Sequence, residues 1–180
     1  MTFLEIFYLK PLKYDLFNKF FYKKTKQFPK IKKIILNFKC DQNNFKALSK
    51  ALLALKLISN KNSKLTTSKH SNILLKIRKG NPVGCKITLR KNTMFQIITK
   101  ILIDIFPKTK NFTGLKLNKS YKYNTFSYTI SDVLIFSELE SYYHLFNNLP
   151  KLKISIVTNT KTKEELLFLL TSVKFPIIKN

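Results

Sequence analysis

The chain has 180 residues, of which 34 are lysine or arginine and 9 are aspartate or glutamate, so its formal net charge is +25. Its apolar fraction of 44% permits a packed core and excludes a disordered basic tail. A compact protein this basic needs a polyanionic partner, because its own charges repel one another. The composition therefore favours nucleic acid as the partner, with an anionic membrane surface second.

Several other classes of protein are disfavoured by composition. The two cysteines lie far apart in the chain, so neither a disulfide framework nor a zinc site is expected. Charged residues such as Lys56 and Asp104 interrupt the apolar runs, and no run approaches the roughly 20 residues that span a bilayer. Abundant Lys, Asn, Ile, Phe and Tyr without Trp is typical of an A+T-rich genome. We expect an organelle gene and the mitochondrial matrix, with a plastid or an A+T-rich bacterial cytoplasm as alternatives.

Hydrophobic periodicity predicts the elements of the first half of the chain. Helical spacing predicts a helix over 13–24, inside an N-terminal helix region of residues 1–27. Period-two alternation predicts a strand over 30–38. Asp41 is the expected N-cap of a helix that extends to about residue 59, and residues 60–82 form an exposed basic loop region. The apolar residues at helical spacing in the first helix are Leu16, Phe17, Phe20 and Phe21, and those of the apolar stripe of the second are Phe45, Leu48, Leu52, Leu55 and Ile58.

The second half contains the clearest strand, residues 83–90, in which odd-numbered positions are apolar and even-numbered positions polar or glycine. Asn92 is the expected cap of a helix that ends before Pro107. Strand-like segments follow at 125–136 and 151–158, and a capping box from Thr162 to Glu165 predicts a last helix. The pattern indicates an α+β fold with one domain, residues 1–180: an antiparallel β-sheet with helices packed on one face.

Titratable side chains do not form a constellation that predicts catalysis. Glu138 and Glu140 could share a metal ion, but a solvated acidic spot is the more common arrangement. His70 could contact phosphate or ribose, or be an ordinary surface residue, and His144 is expected to pack among its aromatic neighbours. The Lys-rich segment before Gly80 lacks the spacing of a phosphate-binding loop. We expect no enzyme, no catalytic residue, no metal and no cofactor.

The polar sheet face is more informative. If strands 30–38 and 83–90 are neighbours, one exposed surface carries Lys33, Asn37, Lys86, Thr88 and Arg90. Amide and hydroxyl groups can bind ribose while cations neutralise phosphate, which favours a sugar-phosphate backbone as the ligand. No row of aromatic residues accompanies them, so recognition of folded RNA by shape is favoured over stacking on single strands. A merely solvated strand face is the alternative.

The segment KIRKGNPVGCKITLR, residues 76–90, closely resembles the signature of the ribosomal protein L five family, whose bacterial members read much like KIRQGYPIGCKVTLR. Two further segments match in order: FPKIKKIILN at 28–37 is similar to VPRVEKITLN, and FPKTKNFTGL at 106–115 is similar to VPRIRDFRGL. Residues 126–139 and 154–176 also follow the family pattern. The resemblance covers nearly the whole chain.

This resemblance implies a large-subunit ribosomal protein that binds 5S rRNA, contacts the large rRNA and helps to build the central protuberance. It also implies neighbouring large-subunit proteins, P-site tRNA and a small-subunit head protein as partners. We expect a mitochondrial ribosome. The candidate RNA-binding residues are Lys30, Lys33, Asn37, Lys61, Lys76, Arg78, Lys79, Lys86, Thr88 and Arg90. The candidate tRNA-proximal residues are Lys64, Thr66, Thr67, Lys69 and His70.

The loop that reaches tRNA in the family is rich in basic residues and ends near an Ala-Gly pair. Here residues 66–74 have fewer cations and no glycine, so we expect that contact to be weakened or rebuilt. Gly80 and Gly84 bracket Asn81-Pro82 and permit a sharp turn, and Gly84 is expected to allow close approach of backbone to RNA.

Two functions of other classes remain as alternatives. An organelle intron maturase or endonuclease would need acidic metal ligands at fixed positions, and the sequence lacks them. A membrane-surface protein would use residues 13–24 as a basic amphipathic helix.

Overall fold

A computed structural model of the chain describes residues 6, 11–24, 27–40, 45–110, 112–116 and 123–178. The chain forms two compact units. The first consists of Met1–Ile34, Leu89–Ser127 and Ser155–Asn180, and the second of Ile35–Thr88 and Tyr128–Ile154. The organisation of residues 1–180 as one domain stays a prediction.

The chain contains both helices and strands, as the sequence predicts. In order, they are α1 (Pro11–Lys19), β1 (Ile31–Lys39), α2 (Phe45–Ser59), β2 (Lys64–Thr67), β3 (Pro82–Leu89), α3 (Asn92–Lys100), a π-helical turn (Ile101–Ile105), α4 (Phe106–Lys108), β4 (Leu115–Lys116), β5 (Thr125–Ile130), a 3-10 turn (Val133–Ile135), α5 (Ser137–Glu140), α6 (Tyr143–Phe146), β6 (Leu152–Thr158), α7 (Lys163–Ser172) and β7 (Ile177–Ile178). A five-stranded antiparallel sheet has the order β2-β3-β1-β6-β5, and β4 pairs with β7 in parallel. The predicted α+β class with an antiparallel sheet is confirmed.

In the second unit, α2 packs against α5 and α6. The side of α2 that is buried includes Leu48, Leu55 and Ile58, as predicted. Phe45, in the first turn, is 66% exposed, so the predicted apolar stripe is wrong at this residue and begins one turn later. The expected N-cap, Asp41, lies outside the described residues.

In the first unit, α1 packs against α7. Leu12 and Leu16 are buried and Phe20 is half-buried, which places the contact on residues spaced by four. Phe17 and Phe21, the other two apolar residues at helical spacing, are exposed. Each follows a contact residue by one position, which rotates it by about 100° around the helix axis and away from α7.

The helix that begins at Asn92 does not end before Pro107, because α3 continues through the π-helical turn into α4. The Phe106 amide donates to the Ile101 carbonyl oxygen, five residues back. Pro107 then occupies the first turn of α4, where a missing N–H is tolerated. The predicted cap at Asn92 is also wrong, since the N-cap is Lys91 with φ 54°.

The predicted strand 125–136 ends early, at Ile130. Asp132 starts the 3-10 turn there by accepting a hydrogen bond from the Leu134 amide at 3.1 Å on its side chain. The capping box of α7 is confirmed: Thr162 Oγ1 accepts from the Glu165 amide at 3.2 Å, and the Glu165 carboxylate accepts from the Thr162 amide at 3.4 Å.

Candidate RNA-binding surface

The outward side of β3 carries the polar side chains that alternation predicted. Lys86 and Thr88 are exposed, whereas Cys85 and Ile87 are buried. Arg90 follows the strand directly, is also exposed, and belongs to the first unit. The strand therefore separates polar from apolar side chains, as the period of two in a β-strand requires.

Gly84 is the exception on this side of β3, because the chain itself covers it. A Cβ at Gly84 would collide with the carbonyl oxygen of Phe38 on β1 and lie 3.0 Å from Oγ1 of Thr66 on β2. The groups that require glycine here belong to the neighbouring strands of the same unit, and the expected role of Gly84 in an approach to RNA stays a prediction.

β1 lies next to β3 in the sheet and contributes the side-chain amide of Asn37. Leu36 and Phe38 are buried, and Asn37 between them is half-buried with its side chain on the other side of the strand. In the first unit, Lys33 is half-buried and Lys30 is exposed. The predicted two-sided character of β1 is confirmed by this burial pattern.

On the other side of β3, β2 extends the surface. Its register pairs Lys64 with Lys86 and Thr66 with Gly84, and it slips between Thr66 and Thr67. Directly paired residues of antiparallel strands point to the same side, so the Lys64 and Lys86 side chains are neighbours. Lys64, Thr66 and Thr67 therefore lie in the sheet, whereas the sequence had grouped them with the loop.

Two polar side chains of the second unit were missed from the sequence. Lys153 in β6 is exposed between the buried residues Leu152 and Ile154, and Thr129 in β5 is exposed beside the buried Ile130. Alternation of polar and apolar residues in the predicted strands 151–158 and 125–136 is the signal that could have found them.

Residues 68–81 form a hairpin arm between β2 and β3. The Ser68 amide donates to the Asn81 carbonyl oxygen at 2.9 Å. Farther out, Asn72 and Ile77 exchange backbone hydrogen bonds of 2.8 and 3.0 Å. Backbone hydrogen bonds therefore join the two sides of the arm beyond the ends of β2 and β3.

The tip of the hairpin arm is apolar. Ile73 and Leu74 are 91% and 94% exposed, and Oδ1 of Asn72 fixes the turn by accepting from the Leu75 amide at 3.3 Å. The flanks are cationic, and no aspartate or glutamate occurs between residues 60 and 90. The exposed candidate residues of the arm and its approach are Lys61, Lys69, His70, Lys76, Arg78 and Lys79.

Beneath the outward side of β3 lie the two cysteines. Cys40 and Cys85 are 6% and 0% exposed. Burial, reinforced by the nearby Cys40, raises the pKa of Cys85 to about 12, against a smaller opposing effect of the Phe38 backbone. Cys85 is therefore a neutral core residue at physiological pH.

Within the described ranges, no three His, Cys, Asp or Glu side chains come close enough together to hold a metal ion. His144 is exposed, and its ring meets the Tyr143 ring edge to face with centroids 6.3 Å apart, so the expected packing against an aromatic neighbour occurs at the surface. Among the same residues, no helix combines the length and the apolar character that crossing a membrane requires.

The sequence matches known proteins along nearly its whole length. Residues 82–177 match the family model for the C-terminus of the ribosomal protein L five family. The chain is 35% identical over 181 residues to "Large ribosomal subunit protein uL5m" of Reclinomonas americana, covering 99% of this chain and 100% of the relative. It is 37% identical over 175 residues to "Large ribosomal subunit protein uL5" of Wigglesworthia glossinidia brevipalpis, covering 96% and 97%. The protein of that name from Lacticaseibacillus casei is 35% identical over 178 residues, with 98% of each chain covered.

The chain belongs to the uL5 family of ribosomal proteins. This family is structural and non-enzymatic, so the prediction that the protein is not an enzyme is confirmed. The resemblance inferred from KIRKGNPVGCKITLR and the other ordered segments is confirmed as well.

Proposed function

We propose that this protein is a structural constituent of the large ribosomal subunit, that it binds 5S rRNA, and that it helps to build the central protuberance during translation. Its similarity to relatives named as large-subunit proteins over nearly their full length supports the ribosomal part of the proposal. The observation that carries the RNA-binding part is the outward side of the second unit, where Lys64 and Lys86 are paired across two strands.

The chemistry of this surface fits an RNA backbone. Lys64 and Lys86 neutralise phosphate, while Asn37 and Thr88 on adjoining strands offer amide and hydroxyl groups to ribose. In β6 and β5, Lys153 adds a further cation and Thr129 a further hydroxyl group. Because cations alternate with short polar groups, the surface favours contour recognition of folded RNA over reading of base edges.

The remaining candidates extend the proposed contact with 5S rRNA and the large-subunit rRNA. They are Lys30, Lys33, Lys61, Lys76, Arg78, Lys79 and Arg90, all described and none of them buried.

The hairpin arm is the proposed contact with P-site tRNA. Lys69 and His70 lie in the arm, and Lys64, Thr66 and Thr67 form the β2 strand at its base. The cationic flanks support this assignment, while the aliphatic tip supports a contact rebuilt from the family pattern. The small-subunit head protein and neighbouring large-subunit proteins are the proposed protein partners.

We place the protein in a mitochondrial ribosome and infer an organelle gene. The similarity to the uL5m protein of Reclinomonas americana and the A+T-rich composition support this location.

Salt-dependent binding tests the proposal. Purified protein should bind 5S rRNA with an affinity that falls steeply with salt, and each lost phosphate contact should lower the log-log slope by about 0.7 to 0.9. Lys86→Ala with Arg90→Ala should therefore weaken binding and flatten the slope. Binding is measured by filter retention or fluorescence anisotropy across a salt series.

A charge-matched variant provides the control. Lys56 in α2 and Lys108 in α4 are exposed, so Lys56→Ala with Lys108→Ala removes the same net charge from helices. This pair should retain the wild-type slope. Equal losses in both double variants would mean that total charge, and not the sheet surface, determines binding.

A further inference from the structure

The helix α1 uses one side to attach to its own unit. Leu12 and Leu16 are buried, and the Phe20 ring meets the Phe168 ring of α7 edge to face, with centroids 5.8 Å apart. Nζ of Lys19 lies 4.4 Å from the centroid of Phe168. This side of the helix therefore makes its contacts within the chain.

The other side of α1 carries a line of exposed aromatic rings, which we call the aromatic stripe: Tyr14, Phe17 and Phe21. Their exposed fractions are 72%, 53% and 97%. Phe21 follows the end of α1, but the Phe20 amide still donates to the Leu16 carbonyl oxygen at 2.9 Å, so the helical turn reaches the residue before it. The spacing of three residues places Tyr14 and Phe17 on one face of α1, and Phe21 lies just beyond the last turn.

This amount of exposed aromatic surface indicates an interaction site. A single exposed apolar side chain is normal, but a contiguous apolar patch marks a surface that another molecule covers. Aromatic side chains bury about 150 to 250 Å² each, and they are enriched at the anchor positions of protein interfaces. Within α1, the i, i+3 spacing of Tyr14 and Phe17 is that of anchors on a helix that lies in an apolar groove of a protein partner.

The charges near the stripe in the sequence indicate the chemistry of the partner's groove. Lys13, Lys23 and Lys24 are exposed, and Asp15 is the one acidic residue among residues 11–24. We propose that the aromatic stripe docks α1 into an apolar groove of a neighbouring protein whose rim carries acidic side chains. The apolar groove binds the aromatic rings, and the acidic side chains of the rim complement the charges of the lysines.

The spacing of the rings favours a protein over a continuously stacked RNA strand as this partner. Side chains on successive turns of a helix are separated by about 5 to 6 Å at Cβ, whereas bases along a strand repeat about every 3.4 Å. The three rings therefore do not match the repeat of stacked bases. A covalent adduct with RNA in the experiment below would contradict the proposal.

Site-specific photocrosslinking in purified large subunits tests the inference, which in this respect rests on the proposed function. A benzophenone amino acid replaces Tyr14, Phe17 or Phe21 in turn. Irradiation should join each to the same protein neighbour, identified by mass spectrometry of the linked peptide, whose groove should contain acidic residues. Phe20, which faces α7, and Tyr142, an exposed aromatic residue of the second unit, are the control positions and should not give that adduct.

Variants provide the second readout. Tyr14→Ser, Phe17→Ser and Phe21→Ser together should leave the urea unfolding midpoint and 5S rRNA affinity unchanged, because the three rings are exposed and take no part in the buried contact of α1 with α7. The crosslinked neighbour should fall at least about 5-fold in occupancy per large subunit, as expected when several anchors of one interface are removed. Ile73→Ser with Leu74→Ser, which removes highly exposed aliphatic side chains elsewhere in the chain, should leave that occupancy unchanged.

The outcomes separate the two proposals. Absence of the wild-type protein from large subunits would overturn the proposed function and this inference with it. Presence in the particle without a protein adduct at the stripe, or full occupancy of the neighbour in the triple variant, would overturn this inference alone.

Discussion

Tyr22 donates a hydrogen bond from its hydroxyl group to Oε1 of Glu165 at 3.2 Å. The other carboxylate oxygen of Glu165 accepts from the Lys161 amide at 2.8 Å. One carboxylate therefore connects the segment before β1 to the N-terminus of α7. Burial, followed by the negative charge of Glu165 and this hydrogen bond, raises the pKa of Tyr22 above its ordinary value.

Replacing Tyr22 by Phe should lower the free energy of unfolding by about 1 to 3 kcal/mol, because the variant loses a hydrogen bond to a charged group. Urea unfolding at pH 7 measures the change. Tyr142→Phe is the matched control, since Tyr142 is exposed, and it should have almost no effect.

Alkaline pH gives Tyr22 a second test. The folded state holds Tyr22 neutral, so its contribution to stability is complete below the unfolded pKa of about 10 and is lost as the pH rises above it. The stability difference between wild type and Tyr22→Phe should shrink in that range. A difference that grows with pH would contradict the assignment.

Thr162→Ala should destabilise the protein by about 1 kcal/mol, because it removes the hydroxyl oxygen that caps α7. Thr162→Ser retains that oxygen and should remain close to wild type. Thermal or urea unfolding distinguishes the two variants, and equal stability of Ala and Ser at this position would argue against the cap.

Gly84→Ala should cost about 3 kcal/mol, near the upper end of ordinary overpacking, because the added Cβ meets a backbone carbonyl that cannot rotate away. Gly80→Ala is the informative comparison. Gly80 has φ +88° and no atom within 4 Å of an added Cβ, so only backbone strain of about 1 kcal/mol is expected. If Gly80→Ala were the more harmful change, the tight β1-β3 approach would not be the reason for glycine at position 84.

Both cysteines should resist thiol reagents at pH 8 unless the protein unfolds. Burial excludes the reagent, and the raised pKa of Cys85 keeps its thiol neutral. The labelling rate should be about 1,000-fold or more below that of unfolded protein, the smallest folded-to-unfolded ratio of ordinary domains. Absorbance with an aromatic disulfide reagent, with and without urea, provides the measurement.

The pH dependence of stability follows from the same thiol. Cys85 is neutral in the folded protein, so its contribution is complete below the ordinary thiol pKa of about 9 and is lost as pH rises towards 12. Cys85→Ala should therefore show a shallower loss of stability over that interval than wild type. An unchanged slope would contradict the assigned cause.

Local patterns predicted the features that depend on few neighbours. Alternation in residues 83–90 correctly separated Lys86 and Thr88 from the core, because a strand allows two sides only. The capping box at Thr162 and Glu165 could likewise be predicted from the sequence, since both of its hydrogen bonds form within four residues.

Features that depend on a distant partner could not be predicted in this way. Periodicity alone gave four apolar residues over 13–24, and only the position of α7 decides that Leu16 and Phe20 face inward while Phe17 and Phe21 do not. The π-helical turn shifts the hydrogen-bond register ahead of Pro107, and no local sequence pattern predicted this turn. Likewise, the groups around Gly84 come from β1 and β2, which the sequence does not place beside it.

The two-sided character of β1 and β3 has a consequence for how this sequence can change over time. Codons made of adenine and thymine alone include those for lysine and asparagine and those for isoleucine and phenylalanine. Lysine and asparagine suit the solvent-facing side of the strands, and isoleucine and phenylalanine suit the buried side. Mutational pressure towards such codons can therefore act on both sides at once while leaving each with the polarity it needs.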